Sequence, residues 1–411
     1  MFTLDSLDAV SATLDDLPFS LDCPVWAGVA CTGVVMYGQS LGLGPGAEPV
    51  ISDAQPYLNL TFVGGTLTTK PDGTYATIAL VEGDDRETPC SGLANMASTL
   101  AADENGVAPE DFYIMASSAG HGGRKISQLS KGDAEGLYQN FLDHVQQAAW
   151  LSAFAYMHYI VATVPWVQGE NDTPDTSRED YRNALVQLAS DIAGDVCAIT
   201  GQASPPKLLT YQTVDKIALS NSVALAQLDA VAESDDIYFV TPIYHLPHLS
   251  DGVHLTNVGS KLLGCYFGRA GKQLVLDGRT PDCITPRFAT ATGSVVTITL
   301  DAPSALVIDN SDLAETTDAG LQVRDSEGTP FTITDIEADG LHVAITVDGT
   351  VDDGSVVRYA MDYLGTGLVI RDGASGNLRD STTLTTNILG TDYPLWHVAP
   401  AFELPVIIVE G

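Results

Sequence analysis

Two segments of the sequence carry residue types that could together activate a hydroxyl group. Residues 38–40 read Gly-Gln-Ser after an apolar run, and residues 251–254 read Asp-Gly-Val-His. A serine hydroxyl becomes an effective nucleophile when a base takes its proton, and a carboxylate can hold that base in the required tautomer. We therefore predict Ser40 as the nucleophile, His254 as the general base and Asp251 as its carboxylate partner. The alternative for each is an ordinary turn residue.

Residues 38–42 also match G-x-S-x-G, the pattern around the nucleophile of α/β-hydrolases. That nucleophile follows a central strand, after several strands and a helix, but only 32 residues precede Gly33, where the candidate strand begins. The acid and the histidine of that fold also come from separate loops, whereas Asp251 and His254 are three residues apart. This order of residues favours a different esterase fold.

Several blocks resemble, in the same order, those of the SGNH hydrolases, in the branch of sialate O-acetylesterases and related carbohydrate acetylesterases. The blocks are residues 38–40, 166–172 (WVQGEND) and 251–259 (DGVHLTNVG), with shorter similarities at 87–89 and 122–124. Leu41 stands where many relatives have asparagine. The resemblance covers roughly residues 31 to 275 and, more weakly, the C-terminal part. It implies a serine esterase that removes acetyl groups from a carbohydrate without a cofactor.

An ester cleaved through a tetrahedral intermediate requires donors aimed at the negatively charged oxygen. The predicted donors are the backbone N–H of Ser40, a backbone N–H of Gly122 or Gly123, and the side chain of Gln168, the latter two implied by the resemblance. Glycine permits the close backbone approach that this role needs, although a flexible glycine loop is the alternative. Arg124 is predicted to bind a hydroxyl or carboxylate of the sugar, or else to pair with one of the many acidic residues.

Four potential metal ligands recur every three residues, namely His245, His248, Asp251 and His254. Pro247 interrupts any helix in this stretch, so the four side chains would not share one helix face. Histidine spacing without supporting residues around the ligands is weak support for a metal site. We therefore predict no metal and no cofactor, with a metal site as the alternative.

Alternating strand and helix patterns over residues 31–280 predict an α/β esterase domain. Strands are expected at 34–37, 112–116, 160–167, 207–212 and 237–243, and helices at 133–159, 176–196 and 218–232. Such alternation predicts an SGNH-hydrolase-like parallel sheet sandwiched by helices, with the site beyond the carboxyl ends of the strands. Ser40 and Gln168 both closely follow predicted strands, as that rule requires.

The pattern of apolar and polar residues changes towards both ends of the sequence. Residues 287–411 contain short alternating runs separated by Asp-Gly and Gly-Thr turns, which predict a C-terminal all-β sandwich domain. Residues 1–30 show no sustained period and predict an N-terminal arm or docking segment. Limited proteolysis between the two domains is expected to release an esterase core, unless their interface is large and apolar.

The composition limits the partners. Lys and Arg number 18 against 53 Asp and Glu, a formal charge of −35, so nucleic acid is not an expected partner. The sequence contains no run of eighteen apolar residues, so no membrane span is predicted. The six cysteines include no C-x-x-C pair and are either buried thiols or disulfides, for example between Cys23 and Cys31.

Two functions remain open from the sequence. The first is a serine esterase acting outside the cell on an acetylated glycan, such as a polysaccharide. Residues 1–22 lack the basic and continuous apolar parts of a secretory signal peptide, so association with a virus particle or unconventional export is expected. The second is a particle-borne phage tail fibre or baseplate protein that keeps an esterase fold and binds glycan. Homo-oligomer formation, or assembly through the N-terminal arm, is compatible with both.

Overall fold

The computed structural model describes residues 30–67, 76–83 and 86–409. The predicted N-terminal arm, apart from Ala30, lies outside the described residues, and so does Cys23. The cysteines within the described residues are free thiols: Cys31, Cys90, Cys197, Cys265 and Cys283. The disulfide between Cys23 and Cys31 therefore stays a prediction.

The chain from Ala30 to Val275 forms an α/β region. Its strands are β1 (Ala30–Gly38), β2 (Leu60–Phe62), β3 (Thr77–Ala79), β4 (Tyr113–Ser118), β5 (His158–Val167), β6 (Lys207–Gln212) and β7 (Ile237–Pro242). Its helices are α1 (Pro89–Asn105), α2 (Leu137–Phe154), α3 (Arg178–Thr200), α4 (Ser222–Glu233) and α5 (Asn257–Val275). The helix predicted over 133–159 is too long at both ends. Helix α2 begins at Leu137, after Gly136 in a left-handed conformation, and ends at Phe154, since β5 already begins at His158. Helices α1 and α5 were not predicted.

One seven-stranded sheet in the order β3-β2-β4-β1-β5-β6-β7 forms the middle of this region. All its pairs are parallel except the pair of β2 and β3. Along β1, Val34 and Met36 pack into one hydrophobic cluster, whereas Val35 and Tyr37 pack into another. Since successive side chains of a strand point to opposite faces, both faces of the sheet are buried. The predicted α/β fold class is confirmed.

The helices cover both faces of the sheet. Leu93 of α1 and Phe267 of α5 belong to the cluster that contains Met36, whereas Phe141 of α2 and Leu185 of α3 belong to the cluster of Tyr37. Helix α5 begins directly after the segment that carries Asp251 and His254. Its first turn is capped by Thr256, whose Oγ1 accepts a hydrogen bond from the backbone N–H of Gly259 at 3.1 Å.

The later part of the chain is rich in β-strands, as predicted. Its strands are β8 (Thr285–Thr292), β9 (Val295–Asp301), β10 (Leu306–Ile308), β11 (Leu321–Arg324), β12 (Ile333–Asp339), β13 (His342–Val347), β14 (Val356–Tyr359), β15 (Leu378–Asp380), β16 (Thr385–Ile388), β17 (Thr391–Pro394) and β18 (Phe402–Ile408). Seven of them form a sheet in the order β11-β14-β18-β8-β9-β13-β12, and β10-β15 and β16-β17 form two-stranded ladders. In the seven-stranded sheet only the pair of β18 and β8 is parallel.

The α/β region and the β region share a buried interface. One hydrophobic cluster contains residues of both, including Leu263 and Phe402. Tyr244 donates a hydrogen bond to the carbonyl of Ala399 at 2.7 Å. Gln212 and Ala401 exchange two hydrogen bonds, of 2.9 and 2.7 Å. The division into domains stays a prediction, and this interface is of the apolar kind that would prevent release of an esterase core.

Candidate active site

Ser40 lies at the carboxyl end of the central strand β1, where a short 3-10 turn begins. Gly38, the last residue of β1, has φ of +138°, and a Cβ atom there would lie 2.1 Å from the carbonyl oxygen of Val167. Only glycine fits this close approach. The N–H of Gln39 donates to the same carbonyl at 2.7 Å. The ends of β1 and β5 are thereby fastened together, which fixes the position of Ser40.

The structure brings the three predicted residues together in one hydrogen-bonded series. His254 Nε2 lies 3.0 Å from Ser40 Oγ, and His254 Nδ1 lies 2.6 Å from Asp251 Oδ2. Asp251 Oδ1 accepts hydrogen bonds from the backbone N–H groups of Val253 and His254, both at 2.9 Å. The carboxylate therefore orders the turn and the imidazole at the same time.

The carboxyl group of Asp251 is held in its charged form. Partial burial by itself would raise its pKa. The hydrogen bonds from the His254 imidazole and from the two backbone N–H groups outweigh that effect and lower the pKa of Asp251 to about 2. At neutral pH an ionised carboxylate thus faces Nδ1 of His254, which favours the tautomer that carries its proton on Nδ1 and leaves Nε2 free to accept one.

Backbone donors lie beside Ser40. A Cβ atom on Gly122 would be 3.8 Å from Cβ of Ser40. The segment before it is tied to β1, because the N–H of Ala119 donates to Met36 and the N–H of His121 donates to Gly38, both at 2.9 Å. Within the described part of the chain, the N–H groups of Ser40 and Gly122 donate to no acceptor. They are therefore candidate donors to a negatively charged oxygen formed at Ser40.

Gln168 occupies a different place from the one predicted. Its side chain is fully buried, and Nε2 donates to the carbonyl of Arg124 at 3.1 Å and to Asp172 Oδ2 at 2.6 Å. Its Oε1 accepts from the Tyr181 hydroxyl at 2.8 Å. Since an amide nitrogen has two protons, both are already used, and the geometry does not leave Gln168 as an oxyanion donor. It connects the loops behind the site instead.

A buried carboxylate supports the turn that carries Ser40. Glu170 accepts hydrogen bonds from Gln39 Nε2 at 2.8 Å, from the Tyr211 hydroxyl at 2.5 Å and from Thr213 Oγ1 at 2.8 Å. Its burial raises the pKa of Glu170, although the hydroxyl donors oppose that effect. Glu170 thus joins the ends of β5 and β6 to the residue next to Ser40.

Ser40 opens into a cavity of about 290 Å³. Most of the residues that line it are polar or charged: Gln39, Ser40, Gly123, Glu170, Asn171, Asp215, Lys216, Asp251, Val253, His254 and Arg371. Asp215 and Lys216 follow β6, so the rule about carboxyl ends of parallel strands could have found them. Arg371 comes from the β region, and no motif of the sequence pointed to it.

Arg124, the predicted substrate contact, does not line this cavity in the described structure. Its Nε and Nη2 donate to Glu135 Oε2 at 3.2 and 2.7 Å. The acidic alternative considered for Arg124 is therefore the observed one. Its guanidinium is paired with Glu135, whereas the basic side chains that line the cavity beside Ser40 are Lys216 and Arg371.

The histidine series does not converge on one point. His245 Nε2 lies 3.1 Å from the Tyr266 hydroxyl, and His248 Nδ1 lies 2.8 Å from the carbonyl of Leu246. His254 faces Ser40. Within residues 30–67, 76–83 and 86–409, no group of three or more His, Cys, Asp or Glu side chains is arranged to hold a metal ion.

With this geometry in place, the chain can be compared with known families. Residues 110–273, less than half of the chain, match the family model described as carbohydrate esterase, sialic acid-specific acetylesterase. The predicted resemblance is confirmed. The matched segment includes Gly122, Gly123, Asp251 and His254 and begins after Ser40. The predicted enzyme class, a carboxylic ester hydrolase, is confirmed with it. No curated protein sequence matches the chain.

The chain is also similar to solved structures. A carbohydrate acetylesterase from Xanthomonas citri is 17% identical, with a TM-score of 0.57 over 85% of this chain and 81% of that one. A protein from Arabidopsis thaliana is also 17% identical, with a TM-score of 0.45 over 60% of this chain and 99% of its own. Est24, a carbohydrate acetylesterase from Sinorhizobium meliloti, is 15% identical, with a TM-score of 0.35 over 60% and 100%. The first of these shows a shared fold.

Other predictions concern the surroundings of the protein. Among the described residues, no helix has the length and apolar character needed to cross a bilayer. Export, association with a virus particle or a phage tail, and oligomer formation belong to the predictions made from the sequence. These stay predictions.

Proposed function

We propose that the chain is a serine esterase that removes O-acetyl groups from a carbohydrate through Ser40, His254 and Asp251. The observation that carries the proposal is the hydrogen-bonded series of these three residues, with 3.0 and 2.6 Å between its members, beside the backbone N–H groups of Ser40 and Gly122. The match of residues 110–273 to a carbohydrate esterase family supports the choice of ester and of substrate class.

In the first half of the reaction, the Ser40 hydroxyl attacks the carbonyl carbon of the acetyl ester while His254 Nε2 takes its proton. The carbonyl oxygen becomes negatively charged and accepts hydrogen bonds from the N–H groups of Ser40 and Gly122. The intermediate then expels the sugar oxygen, which takes the proton back from Nε2 and leaves as a hydroxyl. The acetyl group remains on Ser40 as an ester.

The second half repeats these steps with water as the nucleophile. His254 Nε2 accepts a proton from the water, whose oxygen attacks the acetyl carbon, and the same donors stabilise the second intermediate. Collapse of that intermediate breaks the bond to Ser40, which recovers its proton, and releases acetic acid. Asp251 stays ionised throughout and stabilises the imidazolium that forms twice per turnover.

The cavity suits a small acyl group on a polar alcohol. Its lining includes the charged side chains of Glu170, Asp215, Lys216 and Arg371, which would be costly to bury against a long hydrocarbon tail. Hydroxyl groups of a sugar, in contrast, can exchange hydrogen bonds with these side chains and with Asn171. This favours an acetylated glycan over a lipid ester as the substrate.

The decisive test is the substitution Ser40→Ala, assayed by acetate release from an O-acetylated oligosaccharide. Since loss of a triad member removes the nucleophile or its activation, kcat/KM should fall by about 10³-fold or more. Ser250→Ala is the matched control, because Ser250 is an exposed serine beside Asp251 and should leave kcat/KM unchanged. Retention of more than about a tenth of the activity by Ser40→Ala would contradict the assignment.

A further inference from the structure

The β region reaches the Ser40 cavity through the segment between β14 and β15. The backbone of Arg371 is held between two loops of the α/β region: its N–H donates to the carbonyl of Gly252 at 2.9 Å, and its carbonyl accepts from the N–H of Lys216 at 2.8 Å. Gly252 lies between Asp251 and His254 in sequence. The turn that carries the acid and the base is therefore in direct contact with the β region.

The fit at this contact is close. Gly252 has φ of +73°, and a Cβ atom on it would lie 2.3 Å from the carbonyl oxygen of Val369 and 2.8 Å from the backbone nitrogen of Arg371. A side chain at position 252 would push the segment around 369–371 away from the turn. The short turn thus leaves room for Arg371 at the edge of the cavity.

The side chain of Arg371 is held at one edge of its guanidinium. Its Nη2 donates to Asp215 Oδ2 at 3.1 Å. Asp215 is 3% exposed, whereas the Arg371 side chain is 51% exposed. A guanidinium has five N–H donors in a rigid plane, and in the described residues only this one donates to a side chain. The remaining donors are available to a molecule in the cavity, whose lining includes Arg371.

The surrounding charge makes this position unusual for the molecule. The chain carries 53 acidic and 18 basic residues, and Arg124, the arginine predicted to contact the substrate, is paired with the partly exposed Glu135. Arg371 is paired as well, but its partner Asp215 is buried behind it and leaves the outer edge of the guanidinium open. Planar donors of this kind bind neighbouring oxygen atoms with defined geometry.

We propose that Arg371, supplied by the β region, determines specificity by donating hydrogen bonds to oxygen atoms of the sugar that carries the acetyl ester. This proposal rests on the proposed esterase function and extends it to the alcohol part of the substrate. The acceptors are either hydroxyl and ring oxygens or a carboxylate on that sugar, since both offer neighbouring oxygen atoms to the same donors. Asp215 acts through Arg371 by holding the guanidinium in place.

The test compares substrates that share the acetyl group and differ in the alcohol. Arg371→Ala is assayed with an O-acetylated xylo-oligosaccharide, an O-acetylated uronic acid oligosaccharide and p-nitrophenyl acetate, which has no sugar. Loss of a hydrogen bond from a charged donor should lower kcat/KM for an oligosaccharide by about 10- to 100-fold, and by clearly less for p-nitrophenyl acetate. A greater loss on the uronic acid substrate assigns a carboxylate, and a greater loss on the neutral one assigns hydroxyl and ring oxygens.

Two further variants complete the design. Arg287→Ala removes an arginine of the β region that is equally exposed, at 53%, and paired with Asp301, and it should change none of the three values. Arg371→Lys keeps a positively charged hydrogen-bond donor on a side chain of similar length and serves if Arg371→Ala does not fold. It should recover part of the oligosaccharide activity.

The outcomes separate the two proposals. Equal losses of kcat/KM on all three substrates, or no loss on any, would overturn the role of Arg371 in sugar recognition while leaving the esterase assignment intact. Absence of acetyl-ester hydrolysis by the unmodified protein would instead count against the proposed function itself.

Discussion

Asp251 uses its two carboxylate oxygens for two different tasks. Oδ1 binds the backbone N–H groups of the following turn, and Oδ2 binds His254. Because all these partners lie within three residues, the acid and the base are positioned largely by local sequence. The contact between His254 and Ser40 is different in kind, since it depends on the sheet that brings the end of β1 to this turn.

Glu82 is a second carboxylate with a perturbed environment, although it lies outside the Ser40 cavity. It is 5% exposed and accepts hydrogen bonds from Thr88 Oγ1 at 2.8 Å and from the N–H of Ser91 at 3.0 Å. Burial, together with the nearby negative charge of Glu87, raises the pKa of Glu82 from 4.5 to about 7, against these hydrogen bonds. In the folded protein Glu82 therefore keeps a proton at a pH where the unfolded chain loses it.

This difference predicts a pH-dependent stability with a definite sign. Between pH 4.5 and 7 the native state binds the proton and the unfolded state does not, so Glu82 makes the protein less stable as pH rises. Glu82→Gln resembles the protonated form and removes this dependence. The free energy of unfolding of the variant, relative to the unmodified protein, should rise by about 3 kcal/mol across this range. Urea unfolding at several pH values measures it.

The control for this prediction is Glu110→Gln, which alters an exposed glutamate. Its stability difference from the unmodified protein should stay nearly constant between pH 4.5 and 7. If the difference for Glu82→Gln were equally constant, Glu82 would not be the group that binds the additional proton.

At the scale of residues, the sequence predicted the members of the site that are specified by short motifs. It did not predict hydrogen-bond partners that the fold brings together from distant parts of the chain. Ser40, Asp251 and His254 meet as predicted because their motifs specify the turns that carry them. Gln168 and Arg124 also have partners that no motif reveals, namely the carbonyl of Arg124 for Gln168 and the Glu135 carboxylate for Arg124. The contribution of Arg371 was equally hidden, since it depends on how the β region packs against the catalytic turn.

At the scale of elements, the predicted strands β1, β4, β5, β6 and β7 are all present, whereas α1 and α5 were missed. The two helices pack closely through glycine. A Cβ atom on Gly264 would lie 2.1 Å from the carbonyl of Pro89, and one on Gly268 would lie 2.3 Å from the carbonyl of Leu93. Glycine has a low helix propensity. The glycines that allow the close contact therefore also explain why the sequence pattern did not predict these two helices.

A matched pair of glycine substitutions tests this account. Gly268→Ala forces α1 and α5 apart and should lower the free energy of unfolding by about 1–3 kcal/mol, or more if the backbone cannot move. Gly194→Ala lies within α3, where a Cβ atom meets nothing within 4 Å, and should raise stability by about 0.5–1 kcal/mol. Chemical denaturation measures both. Opposite signs are expected, and a neutral Gly268→Ala would show that the helices do not need the close contact.

At the scale of the whole molecule, the β region does more than extend the chain. Its Ala399 carbonyl accepts a hydrogen bond from the Tyr244 hydroxyl, and its Ala401 carbonyl accepts one from Gln212. Its Arg371 lies beside the turn of Asp251. The sequence indicated a change of fold near residue 287 but could not indicate how much surface the two regions bury against each other, because the alternating pattern of a strand is the same whichever partner covers it.

The shared core predicts that the two regions unfold together. A chain shortened after residue 284 would expose Tyr244 and Leu263, both buried in the hydrophobic cluster that continues into the β region, and would lose the contact at Gly252. Calorimetry of the full chain should therefore show one unfolding transition, with equal calorimetric and van't Hoff enthalpies. Limited proteolysis between residues 276 and 287 should yield no stable active fragment. Two separate transitions, or an esterase core that survives cleavage with its activity, would instead support the independent domains that the sequence predicts, with Arg371 dispensable for turnover.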